Sequence, residues 1–383
     1  MKTIYLDHAA STPVHPEVAE AMVTVMREQY GNASSIHAYG RAAKRLVNGS
    51  RDRLAALVGC RPDELVFTSG GTESDNLALF GAAEARKDRG RHIITTAIEH
   101  HAVLHACGRL EKQGYEVTYL PVDRQGQVHP EQVREAIRPD TILISVMYAN
   151  NEVGSIQPIE EIGALAAEKG IVFHVDAVQA LGALEIRLGE LPVDLMSFSA
   201  HKINGPQGVG ALYVSRELVI EPILFGGLQE RKRRAGTENM AGIAGFAKAA
   251  ELAAQQLPGR AGRDEELRRI FLDALETEVG AGRFHVNGHP TRRLAHIVNV
   301  SFPECDTETM LMNLDMEGIA VASGSACSSG SLEPSHVLEA MNLPINFLNS
   351  AIRFSFGLGN TTEEMKLTAE KVGTILNRLR KRR

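Results

Sequence analysis

The chain of 383 residues holds no apolar run near the roughly 18 residues that a membrane-spanning helix requires. No membrane span is therefore expected. Its first twelve residues, MKTIYLDHAAST, lack the long apolar core of a secretory signal. Its four cysteines, Cys60, Cys107, Cys305 and Cys327, show no CxxC spacing. That pattern speaks for reduced thiols in a cytoplasmic protein rather than a disulfide framework. Excess positive charge is also missing. The 41 Lys and Arg against 47 Asp and Glu leave a net charge of −6, which argues against a general nucleic-acid binder. The basic runs 231–234 and 380–383 read as a solvated loop and a helical tail. No internal repeat and no low-complexity tract is visible.

What is present is an ordinary globular composition, 44% apolar and 23% charged, in a chain long enough for two domains. Short β-rich runs at 64–68, 92–96, 116–121, 141–147, 171–175, 195–198 and 210–214 alternate with helical patterns such as 131–137 and 160–169. This alternation predicts an α/β domain with a mostly parallel sheet and a ligand site at the carboxyl ends of its strands. Near residue 250 the pattern changes. Helical stretches at 245–256 and 263–279, separated by Pro258-Gly259, precede the runs 296–302, 319–322 and 351–356 and a final helix, 362–380. A large domain over 15–250 is expected, with a smaller α+β domain from 1–14 and 251–383.

Chemistry-bearing residues fall at the predicted strand ends. Lys202 follows the run that ends near Phe198, inside Ser199-Ala200-His201-Lys202, and Asp176 closes the run before it. A lysine amine that can condense with an aldehyde, and a carboxylate that can keep a pyridine nitrogen protonated, are what pyridoxal phosphate (PLP) chemistry needs. Ser69-Gly70-Gly71-Thr72 follows a strand and opens a helix, so backbone N–H groups and the Thr72 hydroxyl are suited to a phosphate. No Gly-Lys-Ser/Thr follows, which excludes a Walker A loop. His100, His101 and His105 include an i, i+4 pair, but nothing at metal-ligand spacing completes a site. No metal is expected, and His101 is the candidate for an imidazole beside a PLP ring. Cys327, in Gly324-Ser325-Ala326-Cys327-Ser328-Ser329-Gly330, sits among small residues suited to an exposed, reactive thiol. Cys60 and Cys107 lie in or beside apolar helical patterns and read as structural.

Taken together, the stretches YLDHAAST, YGNASSIHAYG, FTSGGTESDN, AIEHHAVL, YANNEVGSIQP, HVDAVQALG, SFSAHKINGPQGVGALY, RRAGTEN, GSACSSGSLEPSHVL and IRFSFG resemble the cysteine desulfurases of the NifS/IscS type. These are class V aminotransferases of PLP fold type I, an aspartate-aminotransferase-like α/β fold. The matching stretches span residues 5–357. The resemblance implies that Lys202 carries PLP and acts as acid and base. It implies that Asp176 pairs with the ring nitrogen, Gln179 with the ring oxygen, and His101 stacks on the ring. Gly71, Thr72, Ser199 and His201 are implied phosphate ligands, joined by Thr237 of the second subunit of a homodimer. Asn151 and Arg353 are implied to bind the carboxylate of L-cysteine, and Cys327 to take its sulfur as a persulfide. An iron–sulfur scaffold or another sulfur-acceptor protein is the implied partner. Three other readings use some of the same residues: another fold type I enzyme such as a selenocysteine lyase, a β-lyase releasing free sulfide, and a non-catalytic sulfur-relay subunit. Lys202, Asp176, Arg353 and Cys327 in one chain speak against the last.

Overall fold

The apolar runs of the first two-thirds form one sheet because parallel strands buried on both faces need apolar residues at every position. In the computed structural model, which describes residues 3–324 and 334–380, the strands are β1 (Ile4–Tyr5), β2 (Leu65–Thr68), β3 (His92–Thr96), β4 (Glu116–Leu120), β5 (Thr141–Met147), β6 (Val172–Asp176), β7 (Leu195–Ser199), β8 (Gly210–Val214), β9 (His285–Asn287), β10 (Ile297–Ser301), β11 (Ile319–Ala320) and β12 (Ala351–Ser355). A seven-stranded sheet has the order β2-β8-β7-β6-β5-β3-β4. Its pairs are parallel from β7 across to β4, while β8 runs antiparallel to both β7 and β2. The expected strands are all there, and the sheet is mostly parallel as expected.

The helices are α1 (Pro16–Glu28), α2 (Ala38–Val58), α3 (Gly71–Ala85), α4 (His101–Glu111), α5 (Pro130–Ala136), α6 (Ile159–Lys169), α7 (Met240–Val279), α8 (Thr307–Met316), α9 (His336–Ala340), α10 (Ile345–Leu348) and α11 (Thr362–Arg380). One face of the large sheet packs on Leu54, Val58 and Ile162. The other packs on Leu77, Leu79 and Val103 of α3 and α4. A separate apolar core joins Phe271, Phe302, Phe354, Phe356 and Val372 around β10 and β12.

One expectation is corrected here. The break predicted at Pro258-Gly259 is absent, and α7 runs unbroken through Pro258. Proline removes an N–H donor and normally kinks or ends a helix. Here Ala254, whose carbonyl loses that donor, is exposed to water, as is Pro258. The helix is also anchored at both ends, by Phe246 and Ala250 in the first core and by Leu267 and Phe271 in the second. Among the described residues, no helix is long and apolar enough to cross a membrane.

The basic run starts in water, with Arg231 and Lys232 exposed, but Glu230 just before it is buried. Glu230, Arg231 and Lys232 hold left-handed φ values of 45°, 56° and 70°, which side chains rarely adopt. A buried ion pair holds this turn. Arg51 on α2 donates to both Glu230 oxygens at 2.7 and 2.6 Å, and Phe67 N–H donates to Glu230 Oε2 at 2.9 Å. The Arg51 guanidinium also lies 4.6 Å from the centre of the Phe67 ring. Removing one partner of such a pair leaves an uncompensated buried charge. Glu230→Ala is expected to cost about 3–5 kcal/mol of stability, read as a lower midpoint in urea unfolding; an unchanged midpoint would contradict this.

Candidate active site

The carboxyl ends of β2, β3, β5, β6 and β7 open onto a cavity of about 380 Å³. Its walls include Gly71, Thr72, His101, Asn151, Asp176, Gln179, Ser199, His201, Lys202 and Arg353. Every site residue expected from the sequence thus lines one space, apart from Thr237 and Cys327. Thr237 is exposed, beside Gly236, and is not part of the wall. Cys327 lies outside the described residues. The two described ends of its stretch both meet Glu152. Ser335 Oγ donates to Glu152 Oε2 at 2.5 Å, and a Cβ added to Gly324 would overlap the same carboxylate.

At one end of the cavity lies the turn between β2 and α3. Gly70 has φ +152°, a conformation open to glycine and strained for other residues. A Cβ on Gly71 would stand 2.7 Å from Val178 Cγ2. The two glycines therefore keep bare backbone at the mouth of a 15-residue helix, whose first N–H groups point outward and carry partial positive charge. Glu73 ties this turn down, accepting from Ser69 N–H at 2.8 Å and pairing with Arg234 at 2.7 Å.

At the other end the groups are charged. Lys202 Nζ donates to the carbonyls of Ala9 and Ala10, at 2.5 and 2.8 Å. Gln179 Nε2 donates to Ala9 O at 2.9 Å. These carbonyls come from the N-terminal strap after β1, and no side-chain signal in the sequence marks them. The Asp176 carboxyl is buried and accepts from Val178 N–H at 2.9 Å. Burial pushes it up to about 6, against the pull of that N–H and of the Lys202 charge. His100 and His201 are held down at about 4, mainly by burial and then by the Lys202 charge. Both imidazoles are therefore neutral at pH 7. His101 begins α4, packs 4.8 Å from the His336 ring, centre to centre, and leaves a buried Nδ1 without a partner. Arg353 on β12 donates to Asn151 O at 3.0 Å and to Asp7 Oδ1 at 2.8 Å.

Sequence reasoning missed three buried acids and a half-buried histidine here. Asp75, Glu152 and His336 line the cavity, and Glu99 sits behind it. Glu99 Oε1 accepts from Thr96 Oγ1 at 2.6 Å and Met147 N–H at 3.0 Å, and Oε2 has no partner. Only Glu99, between Ile98 and the histidines, stands in a run apolar enough to have raised the question.

The chain belongs to the class-V aminotransferase family, whose sequence model matches residues 4–367. It is 50% identical to the cysteine desulfurase IscS of Methanosarcina thermophila, over 99% of this chain and 93% of the relative. Dictyoglomus turgidum IscS is 48% identical, over 99% and 96%. Among solved structures, a NifS-like protein superposes with a TM-score of 0.92 at 38% identity, covering 98% of this chain and all of that one. SspA in complex with cysteine superposes with a TM-score of 0.82 at 36% identity, covering 92% and 99%. The fold is that of the NifS-like PLP enzymes, and the family is PLP-dependent. The cavity fits that cofactor: a glycine-bared helix N-terminus suits a phosphate, and a buried carboxyl with a lysine beside it suits a protonated ring and an aldehyde.

Glu99 sets a pH test on the cofactor-free protein. Burial raises its carboxyl from 4.5 to about 8. The folded state then holds more protons than the unfolded chain between these values, so stability from this group is full below pH 4.5 and is lost as pH rises through 8. The depressed histidines act oppositely, but only up to their unfolded value of 6.5. Stability of the apoprotein is expected to fall from pH 6.5 to 8, and Glu99→Gln to flatten that fall in urea titrations. An equal slope in both proteins would exclude Glu99 as its source.

Proposed function

We propose that this cavity removes sulfur from L-cysteine, giving L-alanine and a persulfide on Cys327. The observation that carries the reading is the convergence of Lys202, Asp176 and Arg353 on one cavity, in a chain half identical to cysteine desulfurases. PLP, when bound, supplies an electron sink for charge that develops at the substrate Cα. Lys202 would hold it covalently. Asp176 would keep its ring nitrogen protonated, Gln179 would face its ring oxygen, and His101 would cover one face. Gly71, Thr72, Ser199 and His201 would hold its phosphate.

The chain's own groups divide the remaining work. Arg353 and Asn151 grip the substrate carboxylate, with Asp7 holding the guanidinium in place meanwhile. Lys202, once released from the cofactor, takes the proton from the substrate Cα and returns protons to the carbon fragment. Held neutral, the imidazoles of His100 and His201 add no positive charge beside Lys202. The Cys327 thiolate attacks the substrate sulfur. An S–S bond forms, the bond from sulfur to the substrate Cβ breaks, and the carbon fragment gains a proton and leaves as L-alanine. His101, whose buried Nδ1 has no hydrogen-bond partner, would accept the thiol proton.

Two finer readings accompany this one. A homodimer is supported by apolar side chains left in water, including Ile36 at 91% and Phe225 at 87% exposure. Thr237 would complete the phosphate site of the second copy. The persulfide would pass to an iron–sulfur scaffold or another acceptor protein, in the cytoplasm. The division into a 15–250 domain and a 1–14 plus 251–383 domain is supported by the second apolar core, which draws on Ile4, Leu6 and residues beyond 266, although Val337, Leu338, Met341 and Leu348 pack on the first core.

Incubation with L-cysteine, thiol trapping and mass spectrometry of the Cys327 peptide should show one added sulfur. Cys327→Ser should retain PLP and lose most alanine production; near wild-type turnover would favour a β-lyase that releases sulfide. Arg353→Ala should keep PLP and raise the KM for L-cysteine, and Arg353→Lys should recover only part of the loss. Loss of a charge-assisted bidentate contact of roughly 1.5–3 kcal/mol corresponds to about 10- to 150-fold. An unchanged KM would place the carboxylate elsewhere.

A further inference from the structure

The cavity wall holds, besides Asp176, a second buried carboxyl that the mechanism above does not use. Asp75, the fifth residue of α3, is 1% exposed and lines the cavity. The sheet surface beneath α3 is built by register. His174 and Asp176 are two apart on β6, so both face the same side. Ser145 on β5 stands opposite His174, and Ser197 on β7 stands opposite Asp176. The His174 ring is fixed between two hydroxyls, with Nδ1 2.8 Å from Ser145 Oγ and Nε2 3.0 Å from Ser197 Oγ. Ser197 is also a hydrogen-bond partner of Asp75. Asp75 Oδ1 has no partner, and His174 Nε2 lies 3.6 Å away, beyond a hydrogen bond.

The groups that act on Asp75 decide its state. They are the carboxyls of Asp176 and Glu99, both of which oppose a second negative charge, and the Ser197 hydroxyl. The imidazole of His174 is wholly buried and pushed down to about 3, so it brings no positive charge. An ionised Asp75 would be a buried anion with one bare oxygen, next to another acid and without a cation. That arrangement is among the most costly a protein interior can hold. Both carboxyls line the same cavity and a charge on Asp176 opposes one on Asp75, so the more enclosed one keeps the proton. Asp176 has the Val178 N–H and the Lys202 charge in its favour.

We infer that Asp75 is a positioning residue that stays protonated, so that the negative charge of the Asp75–Asp176 pair resides on Asp176, the carboxyl that would pair with the cofactor. This rests on the PLP reading for its purpose, though not for the protonation itself. The proton leaves Asp75 as a neutral group whose hydrogen-bond partner is Ser197. It stands in the same cavity wall as Asp176 without competing for the cofactor's proton. An ion pair of Asp75 with protonated His174 is the alternative, and it predicts the opposite charge state for both.

The test has two arms, both on the full chain. In the first, infrared spectra of wild type and Asp75→Asn are subtracted at pH 7. The difference should contain the C=O band of one protonated carboxyl; carboxylate bands in its place would overturn the inference. In the second, PLP retention on dialysis is compared for wild type, Asp75→Asn and Asp75→Leu. Asparagine mimics the neutral acid and should retain PLP as wild type does, with the same visible band, whereas leucine should lose at least half of it. Equal loss in both variants, or none in either, would overturn the positioning role. Should wild type itself retain no PLP, the cofactor reading fails, and the infrared arm alone still decides the charge on Asp75.

Discussion

A carboxylate taken out of water keeps its charge only if something replaces the lost solvation. Asp176, at the end of a central strand and nearly sealed from solvent, depends on that replacement. Its direct support is one backbone N–H and the charge of Lys202, and burial still raises its carboxyl to about 6. Much of the surrounding architecture answers to this constraint. Lys202 arrives from the next strand, β7, which pairs in parallel with β6. Histidines on either side are held neutral, so they neither add to nor oppose the pair. In the proposed function, the protonated ring nitrogen of the cofactor would supply the further partner.

The N-terminal strap is the second dependency. β1 pairs with β11, and the strap then crosses to the cavity, where Ala9 and Ala10 receive the Lys202 amine and Ala9 receives Gln179. Asp7, just before it, holds Arg353 from β12. One short segment therefore links the groups expected to bind cofactor and those expected to bind substrate. Small side chains at Ala9 and Ala10 let the backbone approach closely enough to accept these bonds.

Much of this was legible in the sequence because parallel strands are short, apolar and bounded by helices, and because their ends carry the polar residues. Asp176, Ser199 and Lys202 stand out as polar residues directly after apolar runs. The sequence hid Asp75 and Glu152, since an acid within a helix or turn looks like a solvated one until another element covers it. It hid the carbonyls of Ala9 and Ala10 because backbone acceptors leave no trace in residue type. Pro258 misled for a different reason: local propensity favours a break, and anchoring of α7 in two cores overrides it. Thr237 points to a limit of another kind, because its expected role lies in a second copy of the chain.

The central claim is that a lysine at the end of β7 and a carboxylate at the end of β6 form one cofactor site. Borohydride reduction of the PLP-loaded protein, followed by peptide mapping, tests it most directly. The account predicts a stable cofactor adduct on Lys202 alone, absent from Lys202→Ala. An adduct on any other lysine, or an undiminished one in Lys202→Ala, would contradict it.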